Sequence, residues 1–275
     1  MNIFKLVNSV LSDLYESISG GSEHEKDILV KECLDSLSSN YKNLKNGVSI
    51  DYSRPEVRFA YLFKYVTCHS NLVKLSLNYA KMKKIVSEAQ LIRICAFGGG
   101  PGTEILGSLK YFESIAYNGR LDFTLFDRET AWSDSWSDIS EKLDSDRIFS
   151  THLFALDFTQ PNNFNAKNYL RSDLFFMIYF FSELNLNDNM EKFLFDTLTN
   201  AKQGAKFIYI DNNNTTFFTP VDVFFSTQNV KNILSYEGII GLDPAEEKRD
   251  LGVFYSKFSC PKLDANVAIR IWEKL

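Results

Sequence analysis

Histidine, cysteine and proline are scarce in this chain of 275 residues, at three, four and six. Cys33, Cys68, Cys95 and Cys260 stand far apart without a Cys-x-x-Cys pair, and His24, His69 and His152 lack metal-ligand spacing. Neither a metal centre nor a disulfide framework is expected, and the thiols read as reduced and structural, in a cytoplasmic setting. Long apolar runs are missing too. The longest, Leu174 to Phe181, has eight residues, against the roughly 20 needed to cross a bilayer. Met1 to Val7 meets polar residues too early for a signal peptide, with Asp13 and Glu16 following. The expectation is a soluble protein without a membrane segment.

Aromatic side chains, by contrast, are abundant: 24 Phe and 13 Tyr. A chain this rich in large apolar groups can bury a sizeable core, as one large domain or one domain with an extension. Its net charge of −5 is unevenly spread. Residues 54 to 84 hold Arg54, Arg58, Lys64, Lys74, Lys81, Lys83 and Lys84 against the single acid Glu56, a local +6. Such a segment is either a solvated surface or a contact for an anionic partner such as RNA or a nucleotide.

The most informative stretch is Leu91 to Phe97 followed by Gly98-Gly-Gly-Pro-Gly-Thr-Glu104. A nearly continuous apolar run reads as a buried strand, the glycines as a turn, and the apolar spacing at 105, 109 and 112 as a helix. Glycines let the backbone approach a ligand, and a helix start offers free amide hydrogens. The turn is Gly-x-Gly-x-Gly through Gly98, Gly100 and Gly102. The dinucleotide fingerprint Gly-x-Gly-x-x-Gly would need glycine where Thr103 stands, which counts against a nicotinamide oxidoreductase.

Strand and helix alternate from there. Leu121 to Phe126 reads as the second strand, ending in Asp127, and Trp132, Trp136, Ile139 and Leu143 as the buried face of a helix. The third strand lies within 148–154 and leads to Asp157. Residues 173–180 give the fourth and 204–210 the fifth, with a helix over 190–201 between them. Residues 224–234 read as a helix, and 247–258 with 265–272 as a closing hairpin. Upstream, residues 1 to about 47 read as two amphipathic helices. A further helix starts at Tyr52-Ser-Arg-Pro-Glu56, with Ser53 as cap and a break near His69-Ser-Asn71.

An acid at the end of strand two can accept hydrogen bonds from both hydroxyls of a ribose, which singles out Asp127. At the end of strand three Asp157 can take an adenine amino group, with Leu156 or Phe158 covering the ring. This strand, glycine turn and acid resemble the cofactor motif of class I (Rossmann-like) S-adenosylmethionine-dependent methyltransferases, over about residues 85 to 275. The resemblance implies an α/β fold with a seven-stranded, mostly parallel sheet. Residues 87–275 would form it, with 1–86 as an N-terminal helical extension or lid. It further implies S-adenosylmethionine on Phe97, Gly98, Gly100, Gly102, Asp127, Arg128, Asp157, Phe158 and Tyr179, the glycine turn lying beneath the methionine part.

In that family catalytic groups gather at the end of the fourth strand, here Tyr179-Phe-Phe-Ser-Glu-Leu184. Three familiar signatures are absent there: Asp/Asn-Pro-Pro-aromatic, Pro-Cys, and the lysine-aspartate-lysine-glutamate tetrad. Substrate and base are left open. Glu183 and Ser182 are the catalytic candidates, Phe180 a wall, and Arg54 and Arg58 possible contacts for an anionic acceptor. The Ser-Glu-Leu ending also looks like the matching turn of methyltransferase-like proteins of small ribosomal subunit assembly, which keeps RNA among the partners. A scaffold that holds RNA or protein without turnover is the alternative.

Overall fold

The computed structural model describes residues 1–43, 50–80, 89–160, 167–184 and 186–275. Seven strands form one sheet: β1 (Leu91–Phe97), β2 (Arg120–Asp127), β3 (Phe149–Ala155), β4 (Leu174–Ile178), β5 (Lys206–Asn212), β6 (Val230–Gly241) and β7 (Asp264–Lys274). Their spatial order is β3-β2-β1-β4-β5-β7-β6. β1 to β5 run parallel, and β7 lies antiparallel between β5 and β6. The order reverses between β1 and β4, and a crevice at the carboxyl ends of the strands follows from that reversal.

Alternation within the strands divides the core in two. Ile92, Ile94 and Ala96 of β1 and Leu174, Phe176 and Ile178 of β4 face one side, while Cys95, Phe97, Phe175 and Met177 face the other. Such double-sided burial is why these strands are nearly continuous apolar runs. The second side is dense in rings. Phe175 stacks on Phe207 at 4.6 Å, and Phe225 on Trp272 at 3.9 Å. Helices α7 (Phe180–Leu184), α8 (Asp188–Asn200) and α9 (Thr215–Ser226) cover that side.

The first side carries α5 (Thr103–Ser114), α6 (Trp132–Lys142), α10 (Gly252–Phe258) and the N-terminal helices. α1 (Ile3–Ser17) buries Phe4, Val7, Val10, Leu11 and Leu14, and Asn2 caps it by accepting from the Lys5 amide. α2 is Glu23–Asn43. α3 (Pro55–Tyr61) passes through one π-helical turn, Leu62–Val66, directly into α4 (Thr67–Tyr79).

The helices and the closing strands depart from the sequence expectations at three places. No break occurs at His69-Ser-Asn71, because those residues are buried against α5, where Gly107 lets the helices touch. A Cβ there would meet the Ser70 carbonyl at 2.3 Å. Arg54, not Ser53, precedes α3, since the Ser53 hydroxyl bonds Asp51 instead. Residues 224–234 straddle the end of α9 and the start of β6, and 247–258 are helical, so the partner of β7 is β6.

Candidate active site

The glycine turn sits at the carboxyl end of β1. Gly98, Gly100 and Gly102 have φ of 69°, 45° and 87°, a region that side chains with a Cβ rarely adopt. The amides of Gly98 and Gly99 donate to the Phe126 carbonyl at 2.8 and 3.1 Å, tying the turn to the end of β2. The next amide, Gly100 N, donates to Asp127 Oδ2 at 2.9 Å, while Asp127 Oδ1 accepts from Glu129 N at 2.9 Å. Burial pushes the Asp127 carboxyl above its ordinary range, and these two amide bonds oppose the push. Two residues beyond the end of the neighbouring β3 stands Asp157, whose Oδ1 accepts from the Thr159 amide at 2.9 Å and its hydroxyl at 2.6 Å. Phe158 follows, edge-on to Phe180 at 4.9 Å.

At the end of β4, Tyr179 has φ of 54° and its amide donates to the Ile210 carbonyl at 2.7 Å. A left-handed tyrosine is strained backbone of the kind that clusters at functional sites. Its ring is stacked on His69 at 4.2 Å, and Lys262 Nζ donates to its hydroxyl at 3.3 Å. Burial holds the His69 imidazole well below its usual value, hence neutral, and lowers Lys262 as well. Asp211, fully buried at the end of β5, accepts the Ser182 amide on Oδ2 at 2.9 Å and so anchors the first turn of α7. Burial raises Asp211 to about 6.

Glu183 projects from this anchored turn. Its Oε1 accepts the Tyr41 hydroxyl at 2.9 Å and has the Tyr52 hydroxyl at 3.5 Å, and the two phenols are 2.8 Å apart. Burial raises Glu183 to about 7, the phenolic hydrogen bonds counteracting and Asp127 and Asp211 reinforcing. Across from it, Tyr52, Tyr61 and Trp132 pack with ring centroids 4.9–5.5 Å apart.

These elements enclose a crevice of about 730 Å³ of non-atom space, part of it open to solvent. Gly98, Gly100, Asp127, Arg128, Asp157, Phe158, Tyr179, Phe180 and Glu183 all line it. Four other expected site residues do not, and a fifth only shapes the turn. Ser182 is fully buried and its hydroxyl donates to the Tyr179 carbonyl, which leaves it no way to face an acceptor. Phe97 is buried in the second core beneath the turn. Arg54 pairs with Glu56, and the buried Arg58 guanidinium donates to the Tyr52 and Ser53 carbonyls. Gly102 begins α5, with its open side against Trp136. Sequence reasoning missed Tyr41, Tyr52, Tyr61 and Trp132 as site residues. The first lies 142 positions from Glu183, beyond any local pattern, and the spacing of Trp132 marks only a buried helical face.

Of the seven cations in the basic segment, Lys74 pairs with Asp243 and Lys64 bonds the Ser38 hydroxyl. Lys81, Lys83 and Lys84 lie outside the described residues. No group of three or more His, Cys, Asp or Glu able to hold a metal ion occurs among the described residues, and no helix among them is long and apolar enough to cross a membrane.

A sheet of this order, with a glycine turn at the end of β1 and carboxylates beyond β2 and β3 meeting at its switch point, defines a Rossmann-like α/β protein. The fold is the seven-stranded one of the class I methyltransferases. No protein-family model and no curated protein matches the sequence. Among solved structures, the chain is similar to a provisionally designated RNA methyltransferase from Pyrococcus horikoshii (TM-score 0.47, 15% identity, 90% of this chain and 96% of that one). It is similar also to a provisional class I S-adenosylmethionine-dependent methyltransferase from Listeria monocytogenes (0.46, 14%, 100% and 81%). A third is precorrin-6y C5,15-methyltransferase from Geobacter metallireducens (0.45, 10%, 72% and 87%). Likenesses this distant assign no residue a role.

Proposed function

We propose that the chain is an S-adenosylmethionine-dependent methyltransferase. The observation that carries the reading is the hydrogen bond from Gly100 N to Asp127 Oδ2, which brings the glycine turn and the ribose-type acid to one crevice. The residues fit such a cofactor. A Cβ at Gly100 would find only Trp132, at 3.9 Å, so the missing side chain leaves a cradle. Each Asp127 oxygen accepts one backbone amide and, as a carboxylate oxygen, can accept a second donor from a ribose hydroxyl. Asp157 directs both of its turn bonds to Oδ1, so Oδ2 is the oxygen for an adenine amino group, with Phe158 against the ring. The bound group would supply an electrophilic methyl on a sulfonium. The protein's part is to align an acceptor with that methyl and to exclude water. Tyr179 and Phe180 wall the space, Glu183 faces it, and Tyr52 and Tyr61 cover it. In this reading residues 87–275 hold the cofactor and the helices of residues 1–86 form its cover.

RNA or a nucleotide as acceptor drew its support from the basic segment. Arg58, Lys64 and Lys74 are engaged within the fold and the half-exposed Arg54 is paired with its neighbour Glu56, so that support is reduced among the described residues. Calorimetric titration tests the proposal. S-adenosylmethionine and S-adenosylhomocysteine should bind in the micromolar range and NADH should not. Asp127→Ala should weaken binding by about tenfold or more, the loss expected from about 1.4 kcal/mol of charged hydrogen bonding. Absence of binding at high micromolar cofactor would sink the reading.

A further inference from the structure

We infer that the acceptor of this site is an uncharged aromatic molecule bearing a hydroxyl group, that Glu183 takes the hydroxyl proton, and that Tyr41 is the residue positioning Glu183. The inference rests on the methyl-transfer reading above and narrows it to a substrate class.

Three observations converge. The first is the sign of the lining. Among the described residues the crevice is lined by Asp127, Glu129, Asp157 and Glu183 against the single cation Arg128, and with Asp127 and Asp157 given to the cofactor, Glu129 and Glu183 still outnumber it. A phosphate or carboxylate acceptor would enter against that field, while a neutral molecule would not. The second is the wall. Tyr61, Tyr179 and Phe180, with Ile50 and Leu184, form an apolar, ring-faced surface suited to a planar partner.

The third is the geometry of Glu183 itself. Its carboxyl is fixed from two directions, by the Asp211 bond that anchors its turn and by the Tyr41 hydroxyl at 2.9 Å. A neutral amine attacks through its lone pair and can shed a proton to water afterwards. A hydroxyl must lose its proton as it reacts, so it is the acceptor for which a fixed carboxylate in the crevice has a use. In the step, the hydroxyl oxygen bonds the methyl carbon while its proton passes to a Glu183 carboxylate oxygen. The carbon–sulfur bond breaks with its electron pair left on sulfur, and the products are the methyl ether, the neutral thioether and protonated Glu183.

The groups that face Glu183 agree with a base that titrates near neutrality. Tyr41 and Tyr52 donate to it or lie beside it, Tyr61 and Tyr65 are phenols held protonated by burial, and Asp127 and Asp211 add negative field. Burial sets its position at about 7.

The test uses the full chain and three molecules with one ring: 4-methylphenol, 4-methylaniline and 4-methylphenyl phosphate. Calorimetry in the presence of S-adenosylhomocysteine should detect the phenol and not the phosphate. With S-adenosylmethionine, the phenol should be methylated and the rate should rise with pH through about 7. Glu183→Gln should lower kcat about a hundredfold or more with cofactor affinity within about threefold of the parent. Tyr41→Phe removes a donor to the carboxylate, so the midpoint of the rate profile should move up. A purely structural tyrosine would lower stability and leave the midpoint in place. Loss of all cofactor binding by the parent protein would overturn the methyltransferase reading and this inference together. Retained cofactor binding overturns this inference alone if the phosphate is preferred, if no phenol is bound or methylated, or if Glu183→Gln turns over at the parental rate.

Discussion

Two glycines two positions apart in the same turn illustrate how a single atom can act on different properties. A Cβ on Gly102 would fall 2.7 Å from Trp136 Cε3 at a φ of 87°, so both space and backbone forbid it. Gly102→Ala should therefore cost about 1–3 kcal/mol of stability, visible as a lowered urea midpoint. At Gly100 the φ is 45° and the nearest atoms are those of Trp132 at 3.9 Å, so the added methyl has room but stands in the crevice. Gly100→Ala should cost only about 1 kcal/mol of stability while weakening S-adenosylmethionine binding about tenfold or more. Equal stability losses without a difference in cofactor affinity would remove Gly100 from the site. That Gly98, Gly100, Asp127, Asp157 and Glu183 gather at one sheet edge was legible in the sequence because each lies at or within five residues of the carboxyl end of a recognisable strand. Arg58 was not. Its charge is visible, but the carbonyls of Tyr52 and Ser53 that receive its guanidinium come together only in the fold.

At the scale of elements, the placement of α1 depends on a side chain far along the chain. Glu246, between β6 and α10, accepts the Ile3 amide at 3.0 Å and the Phe4 amide at 3.1 Å, and it bonds the buried Lys110 of α5. One carboxylate thus satisfies the start of α1 and shares with Asp243, 3.3 Å from the same ammonium, the neutralising of a cation inside the core. Glu246→Ala would leave two amides without their acceptor while Lys110 keeps Asp243 and Asn71, and should cost about 2–3 kcal/mol. Glu246→Gln, which still accepts hydrogen bonds, should lie between it and the parent. Equal urea midpoints for all three would mean that α1 is held by its apolar face alone. The parallel strands were legible as continuous apolar runs, whereas β6 was not. It is an edge strand whose residues alternate between half-buried and exposed, and its Asn232, Glu237 and Gly238 read as turn or helix chemistry. The reverse error befell α10. Its seven residues include Val253, Phe254 and Tyr255, whose intrinsic preference is for strands, and tertiary packing of Phe254 and Phe258 decides otherwise.

For the whole molecule, the buried carboxyls set how stability varies with pH. Burial raises Glu104 to about 8, Glu183 to about 7 and Asp211 to about 6. In each case the folded state keeps its proton longer than the unfolded chain. Each contribution is complete below the ordinary carboxyl range of about 4 and is lost as pH rises through the folded value. Asp243 has the opposite sign. Burial works against its ionisation, yet Lys74, the Ala245 amide and Lys110 outweigh burial and hold it at about 2. Its contribution is present above about pH 4 and fades as pH falls toward 2. The buried His69, lowered by desolvation, also favours the fold above its ordinary value of 6.5 and disfavours it below. Between pH 4.5 and 6.5 His69 therefore opposes the raised carboxyls. Above 6.5 Glu183 and Glu104 both give a falling contribution, and above about 7 that of Glu104 continues. The urea midpoint should fall from pH 6.5 to 8.5, and Glu104→Gln, neutral throughout, should flatten the upper half of that fall while leaving the acid limb below pH 4 as it was. A midpoint that declines equally in the variant would show that Glu104 does not carry its proton in the folded chain.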